Sequence, residues 1–220
     1  MDRKIETVIL LLLACGIGLS IAAHIFAVFP FDLKVTHEIQ EVQNPVFAAI
    51  MEAISALGGP FFEAVLIGSA TLFFLVHRMR TEAVFVLATA SSVVLTGILK
   101  VLVGRPRPPL YPPNPIDLFL AIDQYSFPSG HVLFFVVFFG FLAYLGWVHL
   151  SGGPRLWVVG VCTFLIVAIA PSRIFLGAHW ASDVIGSYVI GTLLLIILVL
   201  LYQHAVQREM SLTNNPGELR

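Results

Sequence analysis

Six long apolar stretches run along the chain, and polar or proline-containing segments separate them. A hydrocarbon core about 30 Å thick needs about 20 apolar residues in each helix that crosses it. The pattern therefore predicts six membrane-spanning helices, at residues 5–29, 58–76, 83–103, 132–148, 156–170 and 184–202. An even number of crossings would place both termini on the same side of the membrane.

Two of these stretches leave alternatives open. Arg3 and Lys4 precede the first stretch, as they would in a cleaved signal peptide. Its uninterrupted apolar part, residues 8–23, is longer than a typical signal sequence and favours a retained anchor. The fifth stretch, residues 156–170, is short and could be a buried core helix, but we favour a span extended by its flanks.

The remaining segments are less informative. Asn44 and Pro45 are a plausible helix start, and the apolar residues after them recur at helical spacing. This helix should lie along the outer interface, where it either guides a lipid or, as we favour, packs against the bundle. Residues 203–220 are polar and predict a frayed cytoplasmic tail. The whole chain, residues 1–220, is predicted to be one domain.

Composition agrees with a membrane protein. Hydrophobic residues make up 58% of the chain and charged residues only 11%, whereas soluble domains have about 25% charged residues. This excludes a soluble cytosolic enzyme and a disordered chain. The formal net charge of -1 leaves no basic surface for a nucleic-acid partner. With a cytoplasmic N-terminus, seven Lys and Arg residues would lie inside and five outside, a weak bias in the usual direction.

The first segment of chemical interest runs from Lys100 to Pro109. The third helix should stop near Gly104, because Pro106 disfavours helical geometry at the residue before it. Arg107 could then turn back toward Lys100. Taken alone, the simpler interpretation is a lysine that extends to the membrane surface and arginines that anchor the interface.

The second segment, residues 127–131, comes directly before the phenylalanine-rich fourth stretch. Ser129 is a favourable N-cap residue, and Gly130 permits close approach of the backbone. The free amides of the first helical turn would form an anion site beside His131, helped by the helix dipole. Taken alone, the segment could equally be a turn that leads into a helix.

The third segment, residues 171–183, contains Ser172 and Arg173, and His179 lies four residues before Asp183. On a helix, this spacing places the imidazole and the carboxylate on one face, where they can hydrogen-bond. An aspartate that accepts from one imidazole nitrogen leaves the lone pair of the other directed outward, which suits a nucleophile or a base. A structural pair that caps a helix is the simpler interpretation of this segment alone.

The predicted topology places all three segments on the same outer face. Lysine, arginine and free amides together suit a phosphoryl group and its transition state, where charge accumulates on the equatorial oxygens. The sequence contains no carboxylate cluster or His/Cys set with the spacing of a metal site, so we expect no metal or other cofactor. The cations would then do the electrostatic work of a metal.

In these segments the chain resembles the membrane-bound type 2 phosphatidic acid phosphatases, whose superfamily includes the vanadate-dependent haloperoxidases. The family signature is Lys, six residues, Arg-Pro; then Pro-Ser-Gly-His; then Ser-Arg, five residues, His, three residues, Asp. Every specified position is present at the correct spacing between Lys100 and Asp183. The matching region, about residues 97–187, covers less than half of the chain. The resemblance implies an all-α bundle of six transmembrane helices with an extracytoplasmic active site.

The resemblance also implies a role for each matching residue. His179 would be the nucleophile that becomes a phosphohistidine, with Asp183 orienting it, and His131 would protonate the leaving oxygen and later activate water. The phosphoryl oxygens would be bound by Lys100, Arg107, Arg173, Ser129 and the amide of Gly130. Ser172 matches the signature without a defined role. Arg105 lies outside the signature and is assigned none.

We therefore expect a multi-pass enzyme of the cell membrane that hydrolyses a lipid phosphate or lipid diphosphate held in the bilayer. Phosphatidic acid, phosphatidylglycerol phosphate and polyprenyl diphosphates all fit, because the signature reads only the phosphoryl group. A phosphotransferase that uses the same histidine stays open as an alternative. A six-span transporter or silent scaffold is less favoured, because the motif residues lie at one membrane face and not at mid-bilayer.

Overall fold

The structure is a computed structural model and describes residues 3–109 and 124–214. Within these ranges the chain forms α-helices and no β-strand, which confirms the all-α prediction. In chain order the helices are α1 (Arg3–Ile25), α2 (Pro30–Gln40), α3 (Pro45–Ala56), α4 (Pro60–Val76), α5 (Arg80–Ala88), α6 (Ser91–Val103), α7 (Gly130–His149), α8 (Gly152–Phe175) and α9 (Ala181–Asn214).

Five helical segments are long and apolar enough to cross a membrane. They are α1, the consecutive pair α5 and α6, then α7, α8 and most of α9. The short fifth stretch is thus part of a 24-residue helix, as the extension by its flanks predicted. Helices α3 and α4 make a sixth span only when counted together, with a bend of 61° between them. The predicted count of six therefore depends on this bent pair.

Helix α7 occupies the centre of the bundle. It is apolar on all sides, and 12 of its 20 residues are buried. Its main neighbours are α8 and α9, with α6 on another side. In contrast, α1 buries only Gly16 and Ala23, and most of its other apolar side chains are exposed, as on a lipid-facing helix.

Glycines allow the helices around α7 to approach closely. A Cβ atom added at Gly146 would lie 2.7 Å from Cγ1 of Val158 on α8. On α9, a Cβ atom at Gly191 would lie 3.0 Å from Cβ of Val136 on α7. Small residues at such contacts increase van der Waals packing between helices, the main attraction available inside a bilayer.

The first apolar stretch ends earlier than predicted. Helix α1 stops at Ile25, and a separate helix, α2, begins at Pro30. Proline suits the first turn of a helix because it has no N–H to satisfy, and the Phe29 amide donates to Oδ2 of Asp32 at 3.0 Å. Helix α2 was not predicted, because Pro30 and Phe31 continue the apolar run.

Two other segments are helical. The helix expected after Asn44 is present as α3, and the Asn44 side chain accepts hydrogen bonds from the Val46 and Phe47 amides. It packs against α8, in line with the packing role that we favoured. The prediction that the chain frays from residue 203 is wrong, because α9 continues to Asn214, and residues 203–214 contain no Gly or Pro. Residues 215–220 of the expected tail lie outside the described residues.

The close contact at Gly191 yields a stability prediction. Gly191→Leu should lower the free energy of unfolding by roughly 1–3 kcal/mol, because the nearest atom is Cβ of Val136, which cannot rotate out of the way. Gly160→Leu is the matched control, since a Cβ atom there meets no atom within 4 Å. Thermal unfolding of the purified protein in detergent measures both. Equal melting temperatures for the two variants would contradict this account of the packing.

Candidate active site

Four helix ends meet at one end of the bundle: the C-termini of α6 and α8 and the N-termini of α7 and α9. Helix α6 ends as predicted, with Gly104 in the left-handed conformation at φ 64°. After α8 the chain turns at Gly177, which also has a positive φ of 65°. These turns direct the three signature segments toward one another.

The first segment contributes two cations to this end. Lys100 is 5% exposed in the last turn of α6, so it does not extend to the membrane surface as a snorkelling lysine would. Arg107 is half-buried, and its Nη1 donates to the Ala178 carbonyl at 3.0 Å. Arg107 therefore lies directly beside the residue that precedes His179.

The second segment is held by the backbone of the first. The Ser126 amide donates to the Arg105 carbonyl at 2.8 Å. Ser129 is the N-cap residue of α7 as predicted, but its hydroxyl makes no capping bond. That hydroxyl is buried with no hydrogen-bond partner among the described residues. Because it is costly to leave a buried hydroxyl unpaired, this group is suited to donate a hydrogen bond to a phosphoryl oxygen.

Two glycines control how closely the start of α7 can be approached. A Cβ atom at Gly130 would lie 3.2 Å from Cγ2 of Thr96, one turn before Lys100, so glycine here keeps α7 close to α6. A Cβ atom at Gly58 would lie only 2.4 Å from Cδ2 of His131. The bend between α3 and α4 thus lies directly against the half-buried His131 imidazole.

Helix α3 supports the third segment. Oγ of Ser172 donates to the Met51 carbonyl at 2.7 Å, and Nη1 of Arg173 donates to Oγ of Ser55. Both Ser172 and Arg173 are buried. The hydroxyl of Ser172 is therefore used to attach α8 to α3, which gives this signature residue a structural role.

The expected hydrogen bond between His179 and Asp183 is absent. Helix α9 begins at Ala181, so the two residues do not share a helical face, and Nδ1 of His179 lies 3.8 Å from Oδ2 of Asp183. The Nδ1 atom is instead 2.7 Å from the Ser126 carbonyl oxygen. Asp183 Oδ2 accepts from the Trp180 amide at 2.9 Å, as an acidic residue in the first turn often does. The orienting acceptor of His179 is thus a backbone carbonyl, with the carboxylate close by.

Arg105, to which no role was assigned from the sequence, is held by hydrogen bonds from each of its Nε, Nη1 and Nη2 atoms. It is 1% exposed. Its Nη1 donates to Oδ1 of Asp183 at 2.5 Å and to Oγ of Ser182 at 2.7 Å. Its Nη2 donates to Oδ2 of Asp32 at 2.8 Å, and its Nε donates to the Ala27 carbonyl at 3.0 Å.

Asp32 is a second residue that the sequence analysis missed. It is fully buried, and it also accepts from the Ser182 amide and hydroxyl, each at 2.8 Å. The one signal that could have found it is an acidic residue two positions after a proline in an otherwise apolar region, the pattern of a helix start. Nothing in the sequence pairs it with Arg105.

The charges around His179 favour its neutral form. Burial lowers the pKa of His179 well below its ordinary value, and the positive charges of Arg107, Arg173 and Lys100 lower it further. The hydrogen bond to Ser126 acts in the opposite direction. A neutral imidazole is the form that can act as a nucleophile. In residues 3–109 and 124–214, no group of three His, Cys, Asp or Glu side chains is placed to hold a metal ion.

Comparison with known proteins identifies the family. The family model of the PAP2 superfamily matches residues 81–207, which is more than half of the chain. The chain is 26% identical over 195 residues to phosphatidylglycerophosphatase B of Bacillus subtilis, covering 86% of this chain and 92% of that protein. It is 28% identical over 170 residues to undecaprenyl-diphosphatase of Sulfolobus acidocaldarius, covering 74% of each.

A solved structure has the same fold. The crystal structure of a transmembrane PAP2 type phosphatidylglycerolphosphate phosphatase from Bacillus subtilis superposes with a TM-score of 0.74 at 24% identity. The match covers 89% of this chain and 96% of that chain. The chain is therefore an integral membrane member of the PAP2 superfamily.

Proposed function

We propose that this PAP2-type phosphatase hydrolyses a lipid phosphate or lipid diphosphate through a phosphohistidine on His179. The observation that carries the proposal is the environment of this imidazole. It is 2% exposed, its Nδ1 is bonded to a backbone carbonyl, and the positive charges of Lys100, Arg107 and Arg173 act on it. A neutral nucleophile surrounded by cations is what transfer of an anionic phosphoryl group requires.

The first chemical step follows from the tautomer. Because Nδ1 faces a carbonyl oxygen, it carries the proton, and the lone pair of the neutral ring is on Nε2. Nε2 attacks phosphorus and forms a P–N bond while the bond to the leaving oxygen breaks. His131 donates a proton to that oxygen, which leaves as a lipid alcohol or, from a diphosphate, as a lipid phosphate. Lys100, Arg107 and Arg173 stabilise the charge on the equatorial oxygens.

The second step regenerates the enzyme. His131, now neutral, accepts a proton from a water molecule as the water oxygen attacks phosphorus. The P–N bond breaks, inorganic phosphate leaves and His179 returns to its neutral form. Between the two steps, the phosphohistidine carries positive charge on its ring, and the nearby carboxylate of Asp183 offsets this charge.

The relatives and the position of the site support a lipid substrate. The similar proteins are a phosphatidylglycerophosphatase and an undecaprenyl-diphosphatase, and each of these names describes a phosphorylated lipid. Lys100 lies in the last turn of a candidate span. A headgroup bound there can react while its hydrocarbon tail stays in the bilayer.

We further propose that the site faces outward. Helix α1 ends at the site, because Nδ1 of His24 lies 2.9 Å from the Val103 carbonyl at the end of α6. The site and the N-terminus are thus at opposite ends of the bundle. The excess of basic residues favours a cytoplasmic N-terminus, which would make the site extracytoplasmic.

Substitution of each histidine tests the two steps separately. His179→Gln should lower phosphate release by at least about 1000-fold and abolish the phosphoenzyme, because the nucleophile is lost. His131→Gln should slow turnover by about 100- to 10,000-fold yet still trap a phosphoenzyme when the leaving group is good. Phosphate release, and phosphoenzyme trapped by denaturation at alkaline pH, where the P–N bond is stable, are measured with phosphatidic acid, phosphatidylglycerol phosphate and a polyprenyl diphosphate.

His37→Gln, an exposed substitution on α2, is the control and should keep wild-type activity. Equal, modest losses in the His179 and His131 variants would contradict the assigned roles. Transfer of phosphate to an added alcohol, with no free phosphate released, would identify a phosphotransferase.

Chelation of metal ions tests whether the lysine and arginine side chains are sufficient for catalysis without a metal. Activity should persist in EDTA without added magnesium, because three positively charged side chains surround the nucleophile. Phosphate release before and after dialysis against EDTA is the measurement. Complete loss that magnesium restores would rule out the proposed mechanism.

The pH profile tests the electrostatics of His179. Arg107→Gln removes a positive charge that lowers the pKa of His179, so the pKa should rise and the acidic limb of kcat/KM should move to higher pH. Ionisation of the substrate is common to both proteins, so the difference reports the enzyme. Lys34→Gln, which removes an exposed cation, is the control. An unmoved limb in Arg107→Gln would contradict the proposed charge environment.

A further inference from the structure

A buried charge network joins α2 to the candidate nucleophile, and its members Arg105 and Asp32 lie outside the family signature. We propose that Arg105 and Asp32 are positioning residues for His179: they fix the two acceptors that face its Nδ1 atom and keep negative charge beside it. This inference rests on the proposed function, in which His179 is the nucleophile.

Arg105 holds both acceptors that face the imidazole. The nearer acceptor is the Ser126 carbonyl, at 2.7 Å from Nδ1, and the farther is Oδ2 of Asp183, at 3.8 Å. The Arg105 carbonyl accepts from the Ser126 amide at 2.8 Å, and the Arg105 guanidinium donates to Asp183. One residue therefore sets the position of both groups, through its main chain on one side and its side chain on the other.

Asp32 in turn fixes the guanidinium. Its Oδ2 accepts from Nη2 of Arg105 at 2.8 Å, while the Phe29 ring lies 5.1 Å from the guanidinium carbon. The side chains of Arg105 and Asp32 are both fully buried. A buried charge that loses its partner is strongly destabilised, so neither residue can be removed without moving the other.

The net charge of the network acts on His179 together with burial and the three nearby cations. With both carboxylates ionised, Asp32, Arg105 and Asp183 carry a net charge of -1, whereas Arg105 and Asp183 alone would be neutral. The imidazole becomes positive as the P–N bond forms, close to three cations that disfavour this change. Asp32 thus preserves a negative charge that stabilises the phosphohistidine, although it does not touch it.

This arrangement predicts pH shifts in opposite directions. Arg105→Gln removes a positive charge and should raise the pKa of His179, so the acidic limb of kcat/KM moves to higher pH. Asp32→Asn removes a negative charge and should move the limb to lower pH. The other charged groups that face His179 are unchanged in both variants: Lys100 of α6, Arg107 of the following segment, Arg173 of α8 and Asp183 of α9.

The experiment uses the full chain in detergent. It measures kcat, KM, the rate of phosphohistidine formation, inhibition by inorganic phosphate and the pH profile of kcat/KM. Each single variant should lower kcat per folded molecule by about 10- to 100-fold, the usual effect of losing a group that orients a reactive one. KM and phosphate inhibition should change by less than about 3-fold, because the phosphate-binding cations remain. Arg105→Lys should return the acidic limb of kcat/KM to its wild-type pH and restore part of kcat. Lysine keeps the positive charge but lacks the several N–H donors of the guanidinium.

Two control variants separate positioning from stability. Glu38→Gln neutralises an exposed carboxylate on the same helix as Asp32 and should have no effect. Glu82→Gln neutralises a buried carboxylate that accepts from the Tyr202 hydroxyl at 2.9 Å, at the other end of the bundle. It should lower thermal stability and leave kcat and the limb unchanged.

Wild-type kcat in Arg105→Gln, or limbs that move in the same direction in the two single variants, would overturn the inference. If Asp32→Asn does not fold, the direction of the Arg105→Gln shift and its rescue in Arg105→Lys decide the question. Absence of a phosphohistidine in the wild type would remove the proposed function and this inference with it. If the wild type forms a phosphohistidine and Arg105→Gln forms it equally fast, the inference alone is overturned.

Discussion

The guanidinium of Arg105 is buried where no water can solvate it, and a charge in that position is stable only when ionic partners and hydrogen-bond acceptors surround it. Its partners come from distant parts of the chain: Ala27 from the segment between α1 and α2, Asp32 from α2, and Asp183 from the last helix. Its carbonyl also fixes Ser126, before α7. The helices must therefore be correctly assembled for this charge to be tolerated, and the same assembly forms the candidate active site.

The membrane environment explains why apolar packing and charged groups occupy different parts of the helices. Inside the hydrocarbon region, α7 is packed on all sides by apolar groups, and glycines on α7 and α9 allow close contacts. Charged groups are expensive at that depth, so the cations collect at the helix ends. The rigid centre fixes where those ends lie, and the ends supply free amides, buried hydroxyls and cations in a small volume. Packing and chemistry are thus separated by only one or two helical turns.

Much of this could be predicted from the sequence, and the failures have physical causes. A span is determined by the local length of an apolar run, so the spans were predictable. Lys100, His131 and Arg173 stand at fixed distances in sequence from the span ends, so their places in the fold were predictable too. The expected His179–Asp183 bond failed because the helix begins between them. The acceptor that replaces it is a main-chain carbonyl, which every residue possesses and no motif can single out.

The charge network also constrains how the protein is made. Asp32 is separated from Arg105 by 73 positions and from Ser182 by 150. A chain synthesised from its N-terminus therefore holds the carboxylate in α2 long before the last helix emerges from the ribosome. The network is completed only when α9 has been inserted, so the earliest and latest parts of the nascent chain complete their folding together.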